Sequence, residues 1–337
     1  MRQRIDHRLG SPHERTPRPA CSDWLTFVRP WLAATLVDRQ AFERLRDVAS
    51  RLPGDVLAAL EIRLASDAGA VDLSVKLPPF GRLAEASFSP PIRQTLRRWA
   101  TEGLPSTSSL WLELDLHRAP EGLPEPVLCA EVERGCDGVA VLDALVPGLD
   151  GGHRGRIVQI LQHLAPPARA LYLFDLRARG SRAIRLEIVG LPQEERHAFL
   201  ARFAPHLADP VAAVAPLLAG TERPHLSFDV GPDRIEPRAG LEGSFVKWPH
   251  TEPRWRELFD RLVERGLCTP DRREAVFAWP GRETFWAAPG RWPVASAGTR
   301  GVCVRALSHV KIVTWVDRPP EAKVYLLFGW IVPQRPV

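Results

Sequence analysis

The chain has 337 residues, is 45% hydrophobic and 25% charged, and carries a formal charge of +5 at pH 7. This composition excludes a disordered chain, and the length buries a sizeable core in one large domain or two ordinary ones. The positive surplus gathers partly in the first twenty residues, so no nucleic-acid footprint is indicated. No stretch approaches the ~18–20 consecutive apolar residues of a membrane helix.

Residues 1–20 hold Arg2, Arg4, Arg8, Arg15 and Arg18 against Asp6 and Glu14, with Pro12, Pro17 and Pro19. They read as a disordered basic tail. No apolar run follows these arginines, so no secretory signal is read. Ser22 or Asp23 caps a short helix through Trp24, Leu25, Phe27 and Val28. Asp38 caps a second one through Phe42, Leu45 and Val48. Strands are expected at 56–64 and 70–77, joined by a turn at 66–69. In the second, Val71, Leu73, Val75 and Leu77 face one way, with Asp72, Ser74 and Lys76 opposite. A helix follows around 92–99. The run 110–117 alternates Leu110, Leu112, Leu114 and Leu116 with Trp111, Glu113, Asp115 and His117. Another strand is expected at 127–132, then a Gly/Asp-rich bend and an amphipathic helix at 154–164. Pro166-Pro167 marks a soft boundary between an N-terminal part, 21–167, and a C-terminal part, 168–337, which also read together as one domain.

In the second half, 170–176 and 183–191 form a hairpin, and Pro192 starts a helix through Phe199, Leu200 and Phe203. A short apolar helix at 211–219 precedes a second hairpin, 225–230 with 235–248. Helices begin at Pro253 and at Thr269-Pro270. The stretch 279–293 reads as a loop carrying Trp279, Phe285, Trp286 and Trp292. Two alternating segments, 302–315 and 321–330, end the chain. The rhythm predicts an α+β fold of antiparallel strand pairs alternating with covering helices, rather than a doubly wound parallel sheet.

Four lysines stand against 41 arginines, and all four lie in strand-like apolar runs. In the last two segments Val302, Val304, Val310, Ile312, Val324, Leu326 and Phe328 occupy even positions. Arg305, His309, Lys311, Lys323 and Tyr325 occupy odd ones, which alternation places on the opposite face. With Lys247, and with Arg238 as a further candidate, these residues form a candidate anion- or peptide-binding face. A solvated sheet face with snorkelling lysines gives the same pattern.

Glu113, Asp115 and His117 share one face and offer metal or acid–base chemistry, although no second cluster completes a site and a solvated face, the favoured reading, gives the same pattern by chance. Gly148, Gly151 and Gly152 match neither a phosphate loop nor a dinucleotide fingerprint. Neither a nucleophile elbow nor a zinc-protease motif occurs. Five scattered cysteines without a Cys-x-x-Cys pair point to free thiols and a cytoplasmic setting, with no cofactor or metal called for. Cys136, in a polar stretch, reads as an ordinary free thiol or a reactive one.

Two resemblances bear on function. Over roughly 225–330, the segments Leu226-Ser227-Phe228-Asp229-Val230, 261–269 and Leu307-Ser308-His309-Val310-Lys311 resemble a bacterial family associated with gene clusters for ribosomal peptide natural products, crocagin-pathway accessory proteins among them. That resemblance implies a non-catalytic, accessory peptide-binding protein in specialised metabolism, with a peptide substrate or precursor as partner. The segments Val310-Lys311-Ile312 and Ala322-Lys323-Val324-Tyr325 resemble strands of ABBA-type aromatic prenyltransferases. That family lines a barrel with Lys, Arg and Tyr that hold a diphosphate, and shields its cation with several tyrosines. This chain has only two tyrosines. A closed barrel with Lys311 and Lys323 inside favours the enzyme; an open sheet with a free edge favours the peptide binder. Seven of the eleven tryptophans follow residue 240; the aromatic stretch 279–293 either packs on the chain's own sheet or, where that leaves it uncovered, is expected to make a homodimer.

Overall fold

The computed structural model describes residues 20–54, 56–65, 69–77, 88–116, 123–222, 224–286 and 300–331. Strand pairs and helices alternate along the chain. Helices α1 (Cys21–Val28) and α2 (Arg39–Ala49) precede β1 (Leu57–Arg63) and β2 (Val71–Leu77). Next come α3 (Pro90–Thr101), β3 (Thr107–Leu114), β4 (Val127–Val132), α4 (Gly138–Leu145) and α5 (Gly151–Gln162). The pair β5 (Arg169–Asp175) and β6 (Ile184–Val189) leads to α6 (Gln193–Phe203) and α7 (Pro205–Val214). After β7 (His225–Val230) and β8 (Ile235–Gly243) stand α8 (Arg254–Glu264) and α9 (Pro270–Ala278). The chain ends with β9 (Gly281–Trp286), β10 (Arg300–Trp315) and β11 (Glu321–Ile331).

Neighbouring strands pair antiparallel in chain order from β1 to β8. Then β8 pairs with β10, β10 with β11, and β11 returns to β1. Ten strands thus close into a barrel, and β9 adds to the first half of β10. The expected α+β fold of antiparallel pairs and covering helices is what the chain adopts. Both seams across residue 167, β4 with β5 and β1 with β11, belong to one barrel.

The core lies outside the barrel wall. Leu60, Ile62, Leu73, Val75, Leu112 and Leu114 point outward and are fully buried. They meet helix residues such as Phe42, Leu45, Ile92, Leu96 and Trp255 in one apolar cluster. The helices read off the sequence are anchored by local chemistry. The Asp38 carboxylate accepts the Ala41 N–H at 2.7 Å and starts α2. Asp23 sits in the first turn of α1 and reaches back to the Ala20 N–H at 2.8 Å, so the cap position is Ala20.

Two elements depart from expectation. The segment read as a bend contains α4, capped by Asp137, whose side chain accepts the Val139 N–H at 2.8 Å. Residues 281–286, read as loop, form β9. Trp279 is fully buried in the chain's own core, its indole N–H donating to the Leu327 carbonyl at 3.2 Å. The remainder of the aromatic stretch that motivated a homodimer, 287–293, lies outside the described residues, as do the turn at 66–68, His117 and the tail 1–19. Among the described residues, no helix is long and apolar enough to cross a membrane.

Candidate active site

Because side chains alternate along each strand, every outward apolar residue is followed by one that points into the barrel. There the sequence places charge. Glu61 and Arg63, Asp72, Glu113 and Asp115, Arg185 and Glu187, Asp229, Arg238 and Glu242, Lys311, and Lys323 all face the lumen and are buried or half-buried. A buried charge is costly unless paired, and the register supplies partners. The Lys311 Nζ lies 2.5 Å from Glu242 Oε1, and the Lys323 Nζ 2.6 Å from Glu61 Oε1. The Tyr325 hydroxyl donates to Glu61 Oε2 at 2.5 Å. Arg179 forks onto Asp115 at 2.6 and 2.8 Å and reaches Glu113 at 3.0 Å. Arg185 forks onto Asp229 at 2.6 and 3.1 Å.

These pairs set the protonation states. Burial pushes the Glu61 carboxyl up, but Lys323, Tyr325 and Arg63 outweigh it and hold the group well below the usual carboxylate range. Asp229, likewise opposed by burial, is held down to about 2 by Arg185. Burial lowers the Lys323 ammonium despite Glu61 beside it. Arg238 is pushed down to about 10, first by burial and then by the neighbouring Arg185. Asp229, 3.9 Å away, and Glu61 offset this only in part. Burial raises Glu113, outweighing Arg179.

Two cavities share this lumen. One, of about 370 Å³, is lined by Arg63, Arg179, Arg185, Arg238, Lys311, Arg318 and Lys323 against Glu61, Asp115 and Glu321. The Arg318 guanidinium carbon lies over Trp315, 3.8 Å from its ring centre, with no carboxylate in ion-pair reach among the described residues. Cations therefore outnumber carboxylates on this wall by seven to three. The other cavity, of about 830 Å³, is lined by Trp111, Tyr172, Phe174, Phe245, Leu57 and Leu327, with Glu113, Glu187, His225, Glu242 and His309. Cys129 and Phe174 on its wall belong, with Val127, to a small apolar cluster separate from the main core. Lys311 and Tyr325 line both cavities and mark where they meet. The His309 ring stacks on Tyr325 at 4.1 Å and 20°, its partial exposure being to the cavity. Burial lowers His309 to about 4 despite the carboxylate of Glu242.

The candidate face read from the sequence is thus brought together in part. His309, Lys311, Lys323 and Tyr325 converge, and Arg238 joins them. Arg305 does not. A register shift between Leu307 and His309 reverses the side-chain alternation of β10. Cys303, Arg305 and Leu307 therefore face outward with Val310 and Ile312. Arg305 lies 4.1 Å over the Trp31 ring and pairs with Glu283 at 3.2 Å. Lys247 is exposed on the loop after β8, where its carbonyl accepts the Trp255 indole N–H at 3.0 Å. Glu113 and Asp115, read with His117 as a metal or acid–base set or a solvated face, are lumen carboxylates held by Arg179. Unread in the sequence were Glu61, Arg179, Arg185 and Glu242. For Glu61, Arg185 and Glu242 the signal was present as charges alternating with Leu60, Ile62, Ile184, Leu186 and Leu241, but a solvated face shows the same pattern; Arg179 lies in the turn between β5 and β6, where no alternation marks it.

The barrel is similar to solved prenyltransferase structures. Prenyltransferase PriB, in a binary complex with product diphosphate, aligns at a TM-score of 0.50 and 15% identity, covering 91% of this chain and 96% of that one. The 5-dimethylallyl tryptophan synthase of Streptomyces coelicolor, in complex with DMASPP and Trp, gives 0.48 and 14%, covering 90% and 93%. NotF, in complex with brevianamide F and DMSPP, gives 0.48 and 12%, covering 93% and 96%. No protein-family model matches this chain. No curated protein matches it either. The likeness is one of fold, and it corrects two expectations. The resemblance to crocagin-type accessory proteins is set aside, because the chain has the barrel of the prenyltransferases. The non-catalytic peptide binder with a peptide partner falls with it: the ten strands close with Lys311 and Lys323 inside, where an open sheet was required.

Proposed function

We propose that this protein is an ABBA-type aromatic prenyltransferase that moves an allylic group from a diphosphate to an aromatic acceptor. The observation that carries the reading is the meeting, inside one closed barrel, of a cation-rich cavity and a larger aromatic one at Lys311 and Tyr325. Lys311, Lys323, Arg238 and Arg63 bind the diphosphate by charge-assisted hydrogen bonds. They also stabilise the negative charge that builds on it as the allylic C–O bond breaks. The bond's electron pair leaves with the diphosphate. The allylic cation faces the Tyr325 ring, the His309 ring stacked on it, and Trp111, whose π-faces attract positive charge. These rings take the place of the additional tyrosines that the family pattern leads one to expect.

The acceptor's aromatic carbon donates its π electrons into the new C–C bond, and the proton on that carbon passes to a base. Glu113 is the proposed base, since burial raises its carboxyl above the usual range and it lines the larger cavity. The Trp111 indole N–H has no hydrogen-bond partner among the described residues and lies in the same cavity, where it can orient an acceptor. The reading is tested by incubating the protein with dimethylallyl diphosphate and L-tryptophan or simpler indoles. The expected result is a product one C5H8 unit heavier by mass spectrometry, with equimolar diphosphate release. Calorimetry should also show that inorganic diphosphate binds, more weakly in Lys311→Met. Absence of both product and diphosphate binding overturns the proposal.

A further inference from the structure

On the wall of the larger cavity stands a group of side chains that the transfer reading does not use. Glu187 on β6, His225 on β7 and Glu242 on β8 place one ligand atom each within 4.8 Å of one another. The His225 Nδ1 lies 2.8 Å from Glu187 Oε1 and 3.7 Å from Glu242 Oε2. A second imidazole adjoins them, with His309 Nε2 3.4 Å from Glu242 Oε2. Three donors of nitrogen and oxygen type are thus mutually close, and His309 adjoins them on the Glu242 side. Metal–ligand bonds of about 2.0–2.2 Å in a tetrahedral site hold their donor atoms roughly 3.3 Å apart. The 2.8, 3.4 and 3.7 Å separations fall on either side of that value.

A second feature separates this group from an ordinary hydrogen-bonded pair. The Lys311 Nζ engages Glu242 Oε1 at 2.5 Å, which turns Oε2 toward the two imidazoles. Outer partners of this kind orient metal-binding carboxylates. Glu187 and Glu242 are buried, so bulk water does not compete for them. All four residues line the cavity, leaving room for a further ligand on its open side.

We propose that Glu187, His225 and Glu242, with His309 as a fourth donor, bind a divalent transition-metal ion, of the Zn2+ or Mn2+ class, on the wall of the larger cavity. Mixed imidazole and carboxylate donors favour these ions over Mg2+ or Ca2+, which prefer oxygen alone. The ion's open side faces the cavity, where it takes an oxygen or nitrogen atom of whatever molecule enters. Glu187, His225 and Glu242 take no part in prenyl transfer and only His309 is shared, so titration with the metal alone tests this assignment separately from that reading.

The test uses the full chain, stripped with a chelator, and calorimetric titration with ZnCl2 and MnCl2 alone. One ion should bind per chain. His225→Gln and Glu187→Gln should each weaken binding at least about 10-fold, while Cys136→Ser leaves it unchanged. Thermal melts of each variant report whether it is folded, and two variants on different strands guard against one that is not. Co2+ in the wild type should give the visible spectrum of nitrogen and oxygen ligation. Absence of binding, undiminished binding in both folded variants, or a thiolate charge-transfer band with Co2+ overturns the proposal.

Discussion

The lumen charges are individually expensive and jointly stable. Lys323 is buried against Glu61, and removing one partner of such a pair leaves the other uncompensated, at about 3–5 kcal/mol. Lys323→Met is therefore expected to lower stability by that order in urea titration, and the double variant Glu61→Gln/Lys323→Met to recover much of the loss. Equal losses in the single and double variants would contradict the pairing. A second prediction concerns acid. Asp229 titrates at about 2 in the folded protein, against ~3.9 for an unperturbed aspartate. Its stabilising effect is thus complete above pH ~4 and lost as the pH falls through about 2. Arg185→Met removes the forked partner and should move the acid-unfolding midpoint, followed by circular dichroism, to higher pH. Residue by residue, the sequence disclosed Lys311, Lys323, Tyr325 and His309, because their alternation with Val310, Ile312, Val324 and Leu326 is unbroken. It misplaced Arg305, because one bulge at 308 reverses the side-chain parity and nothing in Ala306-Leu307-Ser308 announces it.

At the scale of elements, strands and helices were legible wherever a hydrophobic period ran uninterrupted, as in β2, β3, β7 and α8. The helix α4 was not, since Gly138-Val139-Ala140-Val141-Leu142 is apolar nearly all round and begins amid glycine and aspartate. The short β9 was hidden by its aromatic and arginine content, and it is held as a strand by pairing with β10 rather than by its own pattern. Strand β8 carries a position where size is limiting. A Cβ on Gly240 would stand 2.6 Å from both Lys311 Cε and Ser227 Oγ. The missing side chain is what lets the lysine stem lie against β8 beside its partner Glu242. Gly240→Val should displace the ammonium from Glu242, reducing both the thermal midpoint and the affinity for inorganic diphosphate. An unaltered melting curve and titration would show that the wall yields. For α2, Asp38→Ala should cost about 1 kcal/mol through the lost cap, measurable as a lower urea midpoint with unchanged slope.

For the molecule as a whole, alternation named the fold class but left closure open, because a strand with one charged face suits an open solvated sheet as well as a barrel. Closure depends on contacts between distant parts of the chain, such as Glu61 with Lys323, 262 positions apart. Contacts of such separation are also slow to form. The segments 21–167 and 168–337, made separately, are expected to remain unfolded, since each would expose two unpaired strand edges and half of a charged interior. A dispersed NMR spectrum from either would refute this. The wall of the barrel also has a consequence for change over time. One set of side chains, turned toward the helices, keeps the protein standing, while the set between them meets only the interior and its contents. Substitutions at Trp111, Tyr172 or Phe174 can therefore alter the shape and polarity of the vessel with little disturbance to its scaffold. A single architecture of this kind can be retooled for new guests by editing every second letter of its strands.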